Sequence, residues 1–412
     1  MTNAGRILIA GGGTGGHVVP ALATAAALAE LYPQVEVEFV GTARGLESRL
    51  VPEAGWPLHL ISAAPFQRRL SLSALRAPLA LAFAARDALR LVKGPPRAAA
   101  AAVFGGYVSA PLAVAAGLAR IPLVVHEQNA IPGLANRLAA RWAQAIAVSF
   151  PDSAARLGHV DRVTVTGNPV RPGLAELDAG ARRSEAMAAF DLDPGRRTLL
   201  VFGGSQGARR INSAAVGAAP LWSEPRGLQV LHATGRAEHA GAQAAWDAQL
   251  ASGSPLIVRC EPYVERMDLA YAAADVAVCR SGASTTAELT MMGLPSVLVP
   301  YPHATADHQM ANARALAESG AATVIPDADL DSAALVAAAE RLLLDDSAHA
   351  SAAAAARALA RPHAAAALAR LIADAAFAGS GRAPGRLGSR NRNRGGGASS
   401  GEAAGNQTEA QP

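Results

Sequence analysis

Cysteine, lysine and aromatic side chains are all scarce in this 412-residue chain, and each shortage closes off a class of function. Cys260 and Cys279 are too few for a disulfide framework or a cysteine-rich metal site, and a reducing compartment is their natural setting. Lys93 is the only lysine, and no G-x-x-x-x-G-K-[ST] sequence exists, which removes P-loop chemistry. One charge-free run of bilayer length needs care: residues 98–119 are mostly alanine and glycine. Gly105-Gly106-Tyr107 and Ser109-Ala110-Pro111 interrupt it, so it reads as a buried strand, a glycine turn and a buried helix. The four-residue apolar run near the N-terminus is too short for a signal-peptide core. A strong surplus of one charge is missing as well. Of the formal net charge of +4, +3 comes from Arg382, Arg386, Arg390, Arg392 and Arg394 against Glu402 and Glu409, all within 379–412. A nearly neutral body argues against a nucleic-acid partner.

What the chain does have is apolar material, 51% against 17% charged, enough to build sizeable cores over most of its length. Short β-rich runs alternate with longer Ala/Leu-rich stretches. The first series of expected strands is Arg6–Ala10, Val35–Val40, Ala101–Phe104, Leu123–Val125, Ala145–Val148 and Arg162–Thr166. The second is Thr198–Phe202, Gln229–Ala233, Leu256–Arg259, Val276–Cys279, Ser296–Val299 and Thr323–Ile325. Alternation of this kind predicts an α/β protein with parallel sheets covered on both faces. Both series open with an apolar strand, a glycine loop and a helix, and the turn-rich Gly167-Asn168-Pro169-Val170-Arg171 lies between them. Two Rossmann-like domains in tandem follow, with the cleft between them as the expected ligand site. Residues 379–412, Gly/Ser/Arg/Asn-rich, read as a disordered tail.

Gly11 to Gly16 formally contains G-x-G-x-x-G, which suits a backbone approaching phosphate at a helix N-terminus. A dinucleotide would also want an acid at the tip of the second strand, and that strand ends in Val40-Gly41-Thr42. Gly203-Gly204-Ser205-Gln206-Gly207 and Gly105-Gly106-Tyr107-Val108-Ser109 repeat the device, so both domains are expected to face a phosphate-bearing ligand. Arg280-Ser281-Gly282-Ala283-Ser284-Thr285-Thr286-Ala287-Glu288 has the residues of a capped helix start. It equally suits a diphosphate at that N-terminus, with the Glu288 carboxylate taking ribose hydroxyls. Asp191-Leu192-Asp193 and Asp327-Ala328-Asp329-Leu330-Asp331 resemble D-x-D metal motifs but lie in turn-like segments away from the glycine loops. Neither a metal ligand nor a cofactor is expected.

Taken in order, Gly12 to His17, Gly105 to Ser109, His126-Glu127-Gln128-Asn129, Gly167 to Arg171, Gly203 to Ala208, Arg280 to Glu288 and His308-Gln309 closely resemble the MurG family. These are UDP-N-acetylglucosamine transferases acting on lipid I in peptidoglycan synthesis. The resemblance covers roughly residues 5–377. It implies a GT-B fold, with an acceptor and membrane domain over 1–170, a UDP-GlcNAc domain over 171–361 and a helix over 362–377 crossing back. It implies inverting transfer of GlcNAc to the C4 hydroxyl of MurNAc in undecaprenyl-diphosphoryl-MurNAc-pentapeptide, giving lipid II. The donor site it implies uses Thr14, Gly15, Gly16, Asn129, Arg171 and Ser205. Val264, Ala283, Ser284, Thr285, Thr286, Ala287, Glu288 and Gln309 complete it. Tyr107, His126 and Asn212 would meet the acceptor, beside His17 and Glu127. A neutral imidazole suits removal of the hydroxyl proton near pH 7, which makes His17 the expected base and Glu127 its alternative. The implied partners are UDP-GlcNAc, lipid I, an anionic membrane surface at its cytoplasmic face and other cell-wall synthesis proteins. Leu72, Leu75, Leu79 and Phe83, at helical spacing among Arg68, Arg69, Arg76, Arg86, Arg90 and Lys93, form the expected docking stripe, although the same periodicity would suit a core helix. A transferase using another nucleotide sugar, a UDP-GlcNAc epimerase of the same fold and a non-catalytic scaffold are the competing readings.

Overall fold

The computed structural model describes residues 5–63, 77–204, 208–222, 227–251 and 253–378. Ser205, Leu72, Leu75, the arginines Arg68, Arg69 and Arg76, and the tail 379–412 lie outside the described residues.

The first series of apolar runs becomes β1 (Gly5–Ala10), β2 (Val35–Gly41), β3 (Leu58–Leu60), β4 (Ala98–Val103), β5 (Leu123–Glu127), β6 (Ala145–Val148) and β7 (Val163–Val165). They pair in the order β3-β2-β1-β4-β5-β6-β7. The second becomes β8 (Arg197–Phe202), β9 (Leu228–Ala233), β10 (Ile257–Glu261), β11 (Val276–Cys279), β12 (Ser296–Leu298) and β13 (Ala322–Val324). Their order is β10-β9-β8-β11-β12-β13. Every pairing is parallel. In each sheet the order turns back beside the first strand, so the loops after β1 and β8 open at a switch point. The edge strand β3 was not foreseen: three residues after Pro57 are too few for periodicity to register.

Because successive side chains on a strand point to opposite faces, β1 feeds two cores. Ile7 and Ile9 pack with Phe39, Val18 and Leu28 on one side. Leu8 and Ala10 pack with Val103, Leu112 and Ile146 on the other. The charge-free stretch resolves into β4 and the helix Ser109–Ala119, and among the described residues no helix is long and apolar enough to cross a membrane.

The last helix, Ala364–Phe377, leaves the second sheet and packs on the helix Gly15–Leu31 and on β4. Pro362 separates it from the preceding helix. Leu368 and Ile372 are fully buried with Ile7 and Ile9, and each such burial contributes roughly 1.5–3 kcal/mol. The intervening alanines, Ala369 and Ala373, let the helices lie close.

Candidate active site

The first glycine loop is held from below by a carboxylate. Glu47 starts the short helix Glu47–Glu53 and is 1% exposed. Its Oε2 accepts the N–H of Gly13 at 2.9 Å, and its Oε1 accepts the N–H and hydroxyl of Thr42 at 3.2 and 3.0 Å. Since the Thr42 hydroxyl is spent on Glu47, the Tyr107 hydroxyl donates to Thr42 at 2.8 Å. One amide of the loop is therefore consumed within the protein, and the acid that was missing at the tip of β2 arrives from beyond it. The helix Gly15–Leu31 starts at Thr14 without a side-chain cap and without an acid in its first turn, so its N-terminus keeps its positive end.

The turn after β4 serves this loop. Gly106 has φ +79°, and a Cβ there would lie 2.2 Å from the Gly12 carbonyl oxygen. At Gly105 a Cβ would lie 2.9 Å from Cε1 of His17. Glycine is required because two backbones and an imidazole ring meet there.

His17 Nδ1 lies 3.1 Å from Oε1 of Gln128. The Gln128 amide donates to the carbonyl oxygen and to Nδ1 of His126, both at 3.0 Å, and His126 Nε2 donates to the carbonyl of Gly167 at 3.1 Å. Burial pushes the His17 imidazole below its ordinary value, against the opposing pull of Glu127 and the hydrogen bond to Gln128. Burial takes His126 down to about 4, so both rings are neutral near pH 7.

Glu127 is 1% exposed and saturated. Oε1 accepts from the backbone N–H and the side-chain amide of Asn129 at 2.9 and 3.3 Å. Oε2 accepts from the N–H of Gly133 and Nδ2 of Asn136 at 3.0 and 2.9 Å. Four donors leave it the bearing of a structural anchor for the loop after β5, while His17 keeps a ring nitrogen to spare.

Across the cleft, the helix Ala283–Met292 starts at Gly282 with no side-chain cap, and it meets the helix Gly15–Leu31. The Ser284 hydroxyl is buried without a partner. Glu288 is 2% exposed: Oε2 accepts the Tyr271 hydroxyl at 2.8 Å, and Oε1 lies 3.0 Å from Nε of Arg171 with no aligned hydrogen bond. Burial pushes the Glu288 carboxyl up, and Arg171 and Tyr271 hold it back. Gln309 Oε1 accepts the N–H of Tyr301 at 2.9 Å, which leaves its NH2 as the end able to donate to a ligand. Val264 is buried in the second core, so only its backbone could read a base.

The remaining expected residues are placed differently. Ala283, Thr286 and Ala287 line an interdomain cavity of about 500 Å³ together with Phe150, Met291 and Arg314, on a different face of the helix from Ser284 and Glu288. The Thr286 hydroxyl turns back onto Ala283 at 3.0 Å. His126, expected to touch the acceptor, is sealed in the core with both ring nitrogens bonded. Asn212 stands apart in the second domain, its amide spent on the Thr234 carbonyl at 2.9 Å and on His232 Nε2 at 3.0 Å. Arg280 is occupied by Asp327 at 2.6 Å and by two carbonyls, and Asp191 pairs with Arg259. No group of three His, Cys, Asp or Glu able to hold a metal ion occurs among the described residues.

Sequence reasoning missed one further residue. Asn312 is fully buried and stitches the domains together. Its Oδ1 accepts the N–H of Ala130 at 2.9 Å, and its Nδ2 donates to Oδ1 of Asn129 and to the carbonyl of Ser281, both at 3.1 Å. Its only sequence signal is an asparagine facing inward on the helix His308–Glu318.

Comparison with known proteins identifies the family of both domains. Residues 7–148 match the glycosyltransferase family 28 N-terminal domain, and residues 198–368 match the family 28 C-terminal domain. A Nocardioides protein named UDP-N-acetylglucosamine–N-acetylmuramyl-(pentapeptide) pyrophosphoryl-undecaprenol N-acetylglucosamine transferase is 46% identical over 92% of this chain and 100% of its own length. A Desulforamulus reducens protein of the same name is 40% identical, over 87% and 95%. The crystal structure of Acinetobacter baumannii MurG superposes with a TM-score of 0.71 at 29% identity, covering 89% of this chain and 99% of that one. The UDP-GlcNAc 2-epimerase of Neisseria meningitidis, at 13% identity and a TM-score of 0.63 over 90% and 100%, shares the fold.

Proposed function

This chain belongs to glycosyltransferase family 28, and from that premise we propose how it transfers GlcNAc from UDP-GlcNAc to the C4 hydroxyl of MurNAc in lipid I, giving lipid II for peptidoglycan synthesis. The observation that carries the mechanism is the pairing across one cleft of a half-buried imidazole, His17, with a buried carboxylate, Glu288, whose Oε1 lacks an aligned donor.

The UDP ribose hydroxyls donate to Oε1 of Glu288. The diphosphate sits at the uncapped start of the helix Ala283–Met292, where Ser284, Thr285 and Arg171 meet it. Gln309 donates to a GlcNAc hydroxyl, and Asn129 stands beside it on the facing loop. His17 takes the proton from the MurNAc hydroxyl as its oxygen attacks C1 of GlcNAc from the face opposite the diphosphate. The C1–O bond to the β-phosphate breaks with its electron pair going to UDP, and the anomeric configuration inverts. Helix N-terminus and guanidinium stabilise the charge that develops on UDP. Thr14, Gly15 and Gly16 line the same cleft from the acceptor side. Ser205 keeps its proposed donor role by motif alone.

Docking to an anionic membrane surface rests on the helix Ala77–Lys93. Its inner face buries Ala84, Ala88 and Val92. Leu79 and Phe83, 63% and 61% exposed, share the outer face with Arg86, Arg90 and Lys93. Leu118, 66% exposed, lies on the neighbouring helix Ser109–Ala119. Apolar side chains rimmed by bases suit an interface with acidic lipid. We place the enzyme on the cytoplasmic face of the membrane, where other cell-wall enzymes are its neighbours.

The test is UDP release with a short-chain lipid I analogue. His17→Ala is expected to bind UDP-GlcNAc normally and to lose turnover by about 100-fold or more. Wild-type turnover in His17→Ala would remove the proposed base.

A further inference from the structure

We infer that Gln128 and His126 are positioning residues that hold His17 in its Nδ1–H form, so that Nε2 is the nitrogen left to take the acceptor proton. The inference rests on the reading of His17 as the base and adds the device that prepares it.

The argument starts at two backbone carbonyls, which can only accept. Gly167 O lies 3.1 Å from His126 Nε2, so Nε2 carries that ring's proton and its Nδ1 is a bare acceptor. His126 O lies 3.0 Å from Nε2 of Gln128, so that end of the amide is NH2, and the same group donates to His126 Nδ1. The other end of the amide, Oε1, therefore faces His17. An oxygen that only accepts, 3.1 Å from Nδ1, requires hydrogen on Nδ1. In a neutral ring Nε2 is then unprotonated. Each link fixes the next, and the chain starts at groups with no alternative.

Burial secures the links. His126 and Gln128 are 1% and 0% exposed, so water does not compete for these bonds. A protonated His126 would leave its Nδ1 donor facing an NH2 group and break the chain. Its depression to about 4 keeps it neutral across the working range. The groups acting on the His17 ring are Glu127 from β5, His308 from the facing domain, Gln128 and the Phe104 carbonyl. Glu127 favours the imidazolium, and His308 opposes it. During transfer Nε2 gains the hydroxyl proton while Nδ1 keeps its own. The neutral Gln128 oxygen steadies the cation and raises basicity, but by less than a carboxylate would.

The test reads the tautomer directly. Two-bond proton–nitrogen correlation spectra of histidine-labelled protein, with His17 assigned from a His17→Gln variant, are expected to give Nδ1 protonated and Nε2 bare at pH 8. Gln128→Leu, with UDP binding as the check of folding, is expected to mix the two tautomers and to lower kcat about tenfold or more, with KM for UDP-GlcNAc within about twofold. Gln128→Glu is expected to move the acidic limb of kcat/KM up by about one pH unit. A wild-type His17 protonated at Nε2, or a tautomer unmoved in Gln128→Leu, overturns the inference while leaving His17 as base. Full turnover in His17→Ala overturns it through its premise, whatever the spectra show.

Discussion

Glu288 presents the sharpest chemistry of any single residue. It is a carboxylate in the second core that keeps one oxygen without an aligned donor, beside a half-exposed arginine. Glu288→Gln retains shape and loses charge. It is expected to weaken UDP binding by roughly 10- to 100-fold, the worth of a charge-assisted hydrogen bond, as read by titration calorimetry. His17, as the proposed base, is expected to set the pH dependence. A base must be neutral to act, so activity falls as pH drops through its pKa. Because burial lowers that pKa, the acidic limb of kcat/KM is expected below pH 6.5. A limb above 6.5 would reverse the electrostatics assigned to the ring. At this scale the sequence made His17 and Glu288 legible as candidates, because they sit at fixed places in glycine-rich and Ser/Thr-rich loops. It did not make the partners legible. Glu47 reaches Gly13 by folding back after Thr42, and His126 looks like a contact residue until its burial is known.

Elements carry the next level of constraint. The Gly105-Gly106 turn brings the backbone after β4 against the first loop, so Gly106→Ala meets both left-handed strain of about 1–2 kcal/mol and a carbonyl 2.2 Å away. It is expected to destabilise the protein by at least about 2 kcal/mol in denaturant unfolding. This close backbone approach is what requires glycine at the third turn. Buried histidines on strands give a second prediction. His126 on β5 and His232 on β9 are both lowered to about 4. As pH falls, the unfolded rings protonate near 6.5 while the folded rings resist to about 4, so stability present above 6.5 is lost across that window. The loss is about 3 kcal/mol for each ring, and His232→Gln is expected to flatten the slope of stability against pH. The sheets were legible because parallel strands buried on both faces read as continuous apolar runs. Leu58–Leu60 was not, since an edge strand of three residues has neither length nor pattern.

At the scale of the molecule, two domains meet at the candidate site, and Asn312 bonds one to the other there. Asn312→Ala strands the Ala130 N–H and the Ser281 carbonyl, and it is expected to raise KM for UDP-GlcNAc about fivefold or more. Unchanged kinetics would make Asn312 a packing residue only. The tandem architecture could be read from two strand–glycine–helix openings, but the residues that join the halves carry no motif. Paired substitution of Leu79 and Phe83 by serine is expected to weaken binding to anionic vesicles severalfold, with turnover of a short-chain acceptor preserved. Equal vesicle binding would place docking elsewhere. The most direct test of the whole account is the product formed from labelled UDP-GlcNAc and a short-chain lipid I analogue, with its linkage read by NMR. The expected product is a GlcNAc residue β-linked to the C4 oxygen of MurNAc, formed by the wild type and lost in His17→Ala. UDP-ManNAc formed without acceptor, or GlcNAc on any other position, would contradict it.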